Sequence, residues 1–209
     1  MIQTSDVLND SHLELIYQRI CSISPIPNDV WKKLPRSFFS LHELKAGHYF
    51  IKEGKVATNL GFVLSGVLKE YYLTKKGDEY IKSFNFPGDF TGSYYDLLSG
   101  LPSTCSIRAI QTSVIAIANF NHFQDLLDSN PHWQRFGRVI AETLFIKKAR
   151  REFELLTLSA EERYRNLLIA RPNIEEELSQ IHISSYLGIT PVSLSRLRKK
   201  LRSGSHKEP

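Results

Sequence analysis

The sequence predicts an α+β chain in two parts: a β-rich N-terminal domain and an all-α C-terminal domain, joined through one long helix. Three observations predict it. Short β-rich runs between glycine turns fill most of the stretch from Leu41 to Ala118, a spacing that builds a β-sandwich or barrel. A helical stretch opens at Pro131 and continues to about Leu156. The segment from Leu178 to Arg202 then parses as two short helices about a tight corner. Strands and helices do not alternate, so a doubly wound sheet is not expected.

Taken in order, Leu13, Ile16, Tyr17 and Ile20 lie on one face of a short amphipathic helix. Pro27 to Leu34 predicts another, holding Val30 and Trp31. Candidate strands are His48–Ile51, Asn59–Leu64, Val67–Leu73, Tyr80–Phe86, Cys105–Ile110 and Ser113–Ala118. Between them stand the turns Glu53-Gly54, Ser65-Gly66, Lys75-Lys76-Gly77-Asp78 and Pro87-Gly88-Asp89. A short helix over Asn121–Ser129 carries Phe123, Leu126 and Leu127.

The long helix has two apolar stripes. Trp133, Phe136, Ile140 and Leu144 form one; Val139, Ile146, Ala149 and Phe153 lie roughly opposite. A helix apolar on two sides needs two partners, its own β-domain and the same helix of a second copy. A helix fully buried in a monomer is the alternative. Lys147, Lys148, Arg150 and Arg151 read as a solvated face. Ser159 and Glu162 fit a capping box that restarts the chain as a helix to about Ala170, closed by Pro172. The expected domains are residues 1–157 and 158–209.

In the last segment, Ser179 can cap the first helix, and Ile183 and Leu187 share its inner face. Gly188 supplies a left-handed stop. Thr190 caps the second helix, with Pro191 at the position where a missing amide costs nothing. At about 100° per residue, Leu194, Leu197 and Leu201 form one stripe, while Val192, Ser193, Arg196, Lys199 and Lys200 face away. No Asp or Glu occurs from Leu178 through Lys207. Such a face suits a major groove, where Arg can fork onto guanine and Lys can meet phosphate. Arg196 and Ser193 are the expected base readers, Val192 a thymine-methyl contact, and Thr190, Lys199 and Lys200 phosphate contacts. The plainer account is a solvated basic helix; the cap, corner, proline and sorted faces together outweigh it.

Bulk properties agree. The chain has 209 residues and a net charge of +5, a mild lean towards polyanions. No run of about eighteen apolar residues predicts a membrane span, and Met1–Asp6 shows no secretory signal. Cys21 and Cys105 read as two buried thiols in a reducing cytoplasm. Two cysteines cannot hold a four-thiolate cluster within one chain.

A β-roll, a long helix and a terminal helix-turn-helix in this order resemble the Crp/Fnr family of bacterial transcription regulators. The resemblance is carried by Lys52-Glu53-Gly54, Gly66, Phe86-Pro87-Gly88-Asp89-Phe90-Thr91-Gly92, and the run Leu187-Gly188-Ile189-Thr190-Pro191 to Leu194-Ser195-Arg196. It covers nearly the whole chain. It implies a double-stranded β-helix (jelly-roll) domain like those that bind cyclic nucleotides, a dimerisation helix over about 131–157 and a DNA-binding domain after it. Trp133, Phe136, Ile140 and Leu144 are the expected dimer contact. The implied partners are double-stranded DNA, a second copy of the chain, RNA polymerase and an unidentified small-molecule effector, with no cofactor, metal or membrane.

The departures are specific. Cyclic-AMP-binding members of the family place a Glu after the last glycine of that turn, then an Arg followed by Ser or Thr at the cyclic phosphate. Here Ser93 holds the Glu position and Ser103, beside Thr104, the Arg position. Serine cannot replace the charge of an Arg–phosphate fork. Tyr94 and Tyr95 add bulk where a short helix borders the site. High-affinity cyclic AMP binding is therefore not expected. Gly92, Ser93, Tyr94, Ser103 and Thr104 are left to line a pocket for another small molecule, or for none. Arg108, in the next strand, reads as a surface or structural residue. Pro191-Val192 stands where guanine-reading members often carry Arg-Glu, so DNA binding carries over without the family's best-known target. Only Ser203–Pro209 follows, too short for a β-hairpin wing.

The alternative is a sensor first, for a cyclic nucleotide or other small molecule, with a non-standard cassette. An enzyme is not expected. His12, His42, His48, His122, His132, His182 and His206 give no two-histidine-plus-carboxylate spacing on adjacent strands, and no nucleophile-and-base pair is legible.

Overall fold

The computed structural model describes residues 3–4 and 8–204. The segment after Gly204, where a wing would follow, lies outside the described residues. So does most of Met1–Asp6. The chain forms two compact units, residues 1–73 with 82–144, and residues 74–81 with 145–209. The division falls within the long helix, at Leu144/Phe145, and not at its end near Thr157.

The strands are β1 (Gln3–Thr4), β2 (Ser40–Leu44), β3 (Tyr49–Ile51), β4 (Asn59–Ser65), β5 (Leu68–Leu73), β6 (Glu79–Asn85), β7 (Phe90–Thr91), β8 (Ser106–Ala109) and β9 (Ser113–Asn119). They make a five-stranded sheet, β1-β2-β9-β4-β7, and a four-stranded sheet, β3-β8-β5-β6. β9 pairs antiparallel with both β2 and β4. Its near-continuous apolar run follows from being covered on both faces. Ile115 and Ile117 join Val63, Leu68 and Ile107 in the core between the sheets. Ala116, aligned with Leu41 and Phe62, faces a second core shared with the helices. The helices on that face are α1 (Asp10–Ile23), α2 (Asn28–Trp31) and α4 (Phe120–Ser129), with the short α3 (Tyr94–Ser99) following β7. Each fully buried Ile or Leu contributes about 1.5–3 kcal/mol to holding these layers together.

Six strands fall where the alternation predicts them. β2 does not, because Ser40-Leu41-His42-Glu43-Leu44 offers two apolar residues three apart, which does not alternate. Gly66, between β4 and β5, is required twice over. Its φ is +80°, and a Cβ there would stand 2.5 Å from the Thr112 carbonyl oxygen.

The long helix α5 runs Pro131–Thr157 without interruption. Trp133 and Phe136 are each 2% exposed and belong to the core shared with α1 and the first sheet. Their rings meet edge to face at 5.9 Å. Gly137 lies against Leu127, whose side chain would meet a Cβ at 2.7 Å. The expected dimer contact is thereby corrected. Trp133 and Phe136 are spent inside their own protomer, and Ile140 packs beside them. The following stretch behaves differently: residues 141–150 are all exposed, Leu144 among them.

The second unit adds α6 (Ala160–Ala170), α7 (Ile174–Glu177), α8 (Gln180–Leu187) and α9 (Pro191–Gly204). Its core is Tyr164, Ile174, Leu178, Ile183, Leu187 and Leu194, all buried. The capping box is present: the Glu162 N–H donates to Ser159 Oγ at 3.3 Å, and the Ser159 N–H to Glu162 Oε2 at 2.8 Å. Ser159→Ala is expected to destabilise this unit by about 1 kcal/mol, read as a shift in the urea midpoint. No change in midpoint would deny the cap its role.

Candidate functional site

The corner between α8 and α9 is built by local chemistry. Ser179 caps α8, its hydroxyl accepting from the His182 N–H. Gly188 ends α8 at φ +70°, a left-handed conformation that favours glycine. Thr190 Oγ1 accepts from the Ser193 N–H at 3.1 Å, and α9 begins at Pro191. Ser184 is 1% exposed where small size lets α8 sit close to its neighbours. Leu194 is fully buried, and Leu197 and Leu201 are half-buried.

This anchoring sorts the cations of α9. Arg198 turns inward, its Nε 2.6 Å from Glu175 and 3.3 Å from the Tyr164 hydroxyl. Lys200 reaches Glu161 at 2.7 Å, and with Arg165 it holds that carboxylate below its ordinary range. Arg196 and Lys199 are exposed and make no ion pair among the described residues. Val192 is exposed beside them. The Thr190 and Ser193 hydroxyls hydrogen-bond each other at 2.9 Å. The face away from the leucines thus centres on Val192, Ser195, Arg196 and Lys199, with Ser193 and Lys200 on its flank. Ser195 joins the residues expected on this face, where the same angular count places it.

The seat where a cyclic phosphate would lie is closed from within. Asp96 on α3 is 1% exposed. Its carboxylate accepts from Ser103 Oγ at 2.6 Å, from Thr104 Oγ1 at 3.2 Å and from the Thr104 N–H at 3.4 Å. Burial alone would raise its pKa, but the hydrogen bonds from Ser103, Ser93 and Thr104 outweigh that and hold it below the usual range. The residues that would face a phosphate therefore already face an anion.

Beside it, Glu70 on β5 pairs with Lys82 Nζ at 2.5 Å and accepts from Ser83 Oγ at 2.9 Å. The Cys105 thiol lies 3.3 Å from Glu70 and 3.7 Å from Asp96. Burial, reinforced by the Glu70 charge, pushes that thiol up to about 12. Thiolate is the reactive form. Cys105 is thus expected to resist iodoacetamide at pH 8 until the chain is unfolded; peptide mass spectrometry reads the result. Ready labelling in the folded protein would contradict the assigned surroundings.

The five residues expected to line one pocket separate into two places. Ser93, Ser103 and Thr104 gather on Asp96. Gly92 and Tyr94 instead line an apolar cavity against α4 and α5. Burial raises the Tyr94 pKa. Arg108 stacks over Tyr49 and Tyr71, 5.8 and 5.4 Å from their ring centroids, a structural arginine. Sequence reasoning missed Asp96 and the Glu70–Lys82 pair. The one local signal was an acidic residue three after Ser93, in the first turn of a short helix.

Residues 41–130 match the family described as the cyclic nucleotide-binding domain. Among curated proteins, the Fumarate and nitrate reduction regulatory protein of Yersinia pestis is 24% identical over 165 residues, 74% of this chain and 65% of that protein. Its namesake from Vibrio cholerae is 28% identical over 171 residues, again 74% and 65%. The chain thus spans under two thirds of the length of these relatives. Among solved structures, FixK2 from Bradyrhizobium japonicum superposes with a TM-score of 0.70 at 19% identity, covering 80% of this chain and 86% of that one. The c-di-GMP responsive regulator CLP of Xanthomonas campestris gives 0.64 at 16%, covering 83% and 92%. These two likenesses speak to fold alone.

Over residues 41–130 the β-roll is similar to the cyclic nucleotide-binding domain. With α5 and the helical unit after it, the fold is similar to that of solved Crp/Fnr-family regulators.

Proposed function

We propose that the chain is a homodimeric transcription regulator that lays α9 of each protomer in a major groove of duplex DNA. One observation carries this reading. α9 presents Arg196 and Lys199 to solvent while Arg198 and Lys200 are held by Glu175 and Glu161. Arg196 and Ser195 face base edges, Val192 a thymine methyl, and Lys199 a phosphate. Lys200 lends charge from the flank, and Thr190 and Ser193 fix the start of the helix. RNA polymerase is the partner a regulator of this kind works through.

The second copy packs along α5. Val139, Ile146 and Phe153 are seven apart, interleaved with Glu142, Ala149 and Leu156, the a/d spacing of a coiled-coil seam. Ile146, Phe153 and Leu156 are 65%, 58% and 78% exposed, an apolar stripe that calls for a partner. Two copies of α9 related by that seam would enter half-sites roughly 34 Å apart.

The β-roll does not take cyclic AMP in this reading. A phosphate entering the seat would meet Asp96, a like charge already satisfied by the site's donors. The experiment is a selection of duplexes from a random library by the purified chain at low ionic strength, followed by a salt titration. Binding should weaken by roughly 0.9 in log affinity per log salt for each phosphate contacted. A chain that retains no duplex at low salt is not this regulator.

A further inference from the structure

We infer that the apolar cavity of the first unit is the effector site, and that its ligand is a small uncharged molecule with a hydrocarbon body. The inference deepens the regulator reading by naming the class of signal. It rests on that reading for its consequence and not for the binding itself.

The cavity offers about 90 Å³ to the centres of water-sized groups and opens at its mouth to solvent, several times the roughly 10–15 Å³ that one such group needs. Phe62 and Ala116 of the first sheet floor it, and α4 and α5 wall it. None of its lining residues is charged, and the lining side chains that carry a heteroatom are Tyr94 and Trp133 alone. A carboxylate or phosphate would give up its water there with no counter-charge in return. A hydrocarbon gives up nothing, and such walls suit apolar ligands better than water.

The walls are also preformed. Phe90 meets Phe62 at 5.3 Å and Phe136 at 6.3 Å, both edge to face, and Phe123 meets Phe136 at 6.5 Å in the same way. Each ring is braced by another, so binding need not order them first. At the polar seat the Ser103 and Thr104 hydroxyls are already taken by Asp96.

Position gives the cavity its consequence. Ile140 and Leu144 of α5 line it. They lie on the helix that carries the exposed stripe of Ile146, Phe153 and Leu156. A molecule packed against Ile140 and Leu144 bears on the helix whose other face meets the second copy. Occupancy and DNA affinity are then linked and reciprocal.

The test is a matched pair of ligands on the purified chain, 1-decanol and decanoate, at pH 8. Binding is read by tryptophan fluorescence, since Trp133 is in the wall with Trp31 6.3 Å from it, and by calorimetry. Decanol should bind saturably, and decanoate at least about tenfold more weakly, since its charge finds no partner. Ala118→Phe fills the cavity from the sheet and should abolish decanol binding. Because a filled core can unfold, Leu144→Glu is the second variant. Leu144 is 39% exposed at the rim, so the fold should tolerate the change while decanol affinity falls. No saturable decanol signal, decanoate binding as tightly as decanol, or full affinity in Leu144→Glu would each overturn the assignment. If decanol binds and no duplex is retained, the site stands and the regulator reading falls. If duplex is retained and decanol is ignored, the reverse holds.

Discussion

Arg196→Glu should weaken binding to the selected duplex by at least about 100-fold, since each good Arg–guanine fork is worth roughly 1–3 kcal/mol and a dimer loses two of them. The reversed charge adds repulsion from the phosphates. The side chain is exposed and makes no ion pair among the described residues, so the melting temperature and the dimer should be unaffected. Lys200→Gln gives the contrast. Its ammonium is already committed to Glu161, so the expected loss is roughly threefold, from long-range charge alone. A gel-shift titration of both variants at two salt concentrations separates them. Binding by Arg196→Glu within a factor of about two of the parent would remove Arg196 from the readout.

Phe153→Asp should convert the dimer to monomer at micromolar concentration. It sets two carboxylates against each other in an apolar seam, a pairing that like charges oppose strongly. DNA affinity should fall by about 10²–10⁴-fold with it, because the second α9 then has to bind as a separate molecule. Sedimentation equilibrium reads the mass, and circular dichroism should show an intact fold, since Phe153 is 58% exposed. Trp133→Ala is the informative comparison. That ring is 2% exposed in its own protomer's core, so its loss should cost roughly 3–5 kcal/mol of stability and not select for monomer. A Phe153→Asp protein that remains dimeric would move the contact off this stripe.

Those two residues also mark how far the sequence carries. Periodicity revealed two apolar stripes on α5 and could not say which one the chain's own sheet would claim. The family resemblance places the bulkier set, Trp133 and Phe136, at the dimer contact, and the fold buries it in the protomer. Large aromatics suit an interface and a core equally well, so composition does not decide. The α8–α9 corner was legible residue by residue, because caps, a left-handed glycine and an N-terminal proline act over four residues or fewer. β2 and α7 were not, being set by pairing and packing with segments far along the chain. The seat lies between these cases. Counting positions found Ser93 and Ser103 in place of a Glu and an Arg. That Asp96 would reach across a loop to satisfy Ser103 and Thr104 depends on the folded path, and no spacing announces it.

Asp96 has a consequence for what this domain can report. A recognition site whose occupant is covalently part of the polypeptide is saturated at every second-messenger concentration, because an intramolecular partner cannot be diluted away. A cyclic phosphate would have to displace that carboxylate from Ser103 and Thr104 before it could use them. Any responsiveness the molecule retains must enter through some other door.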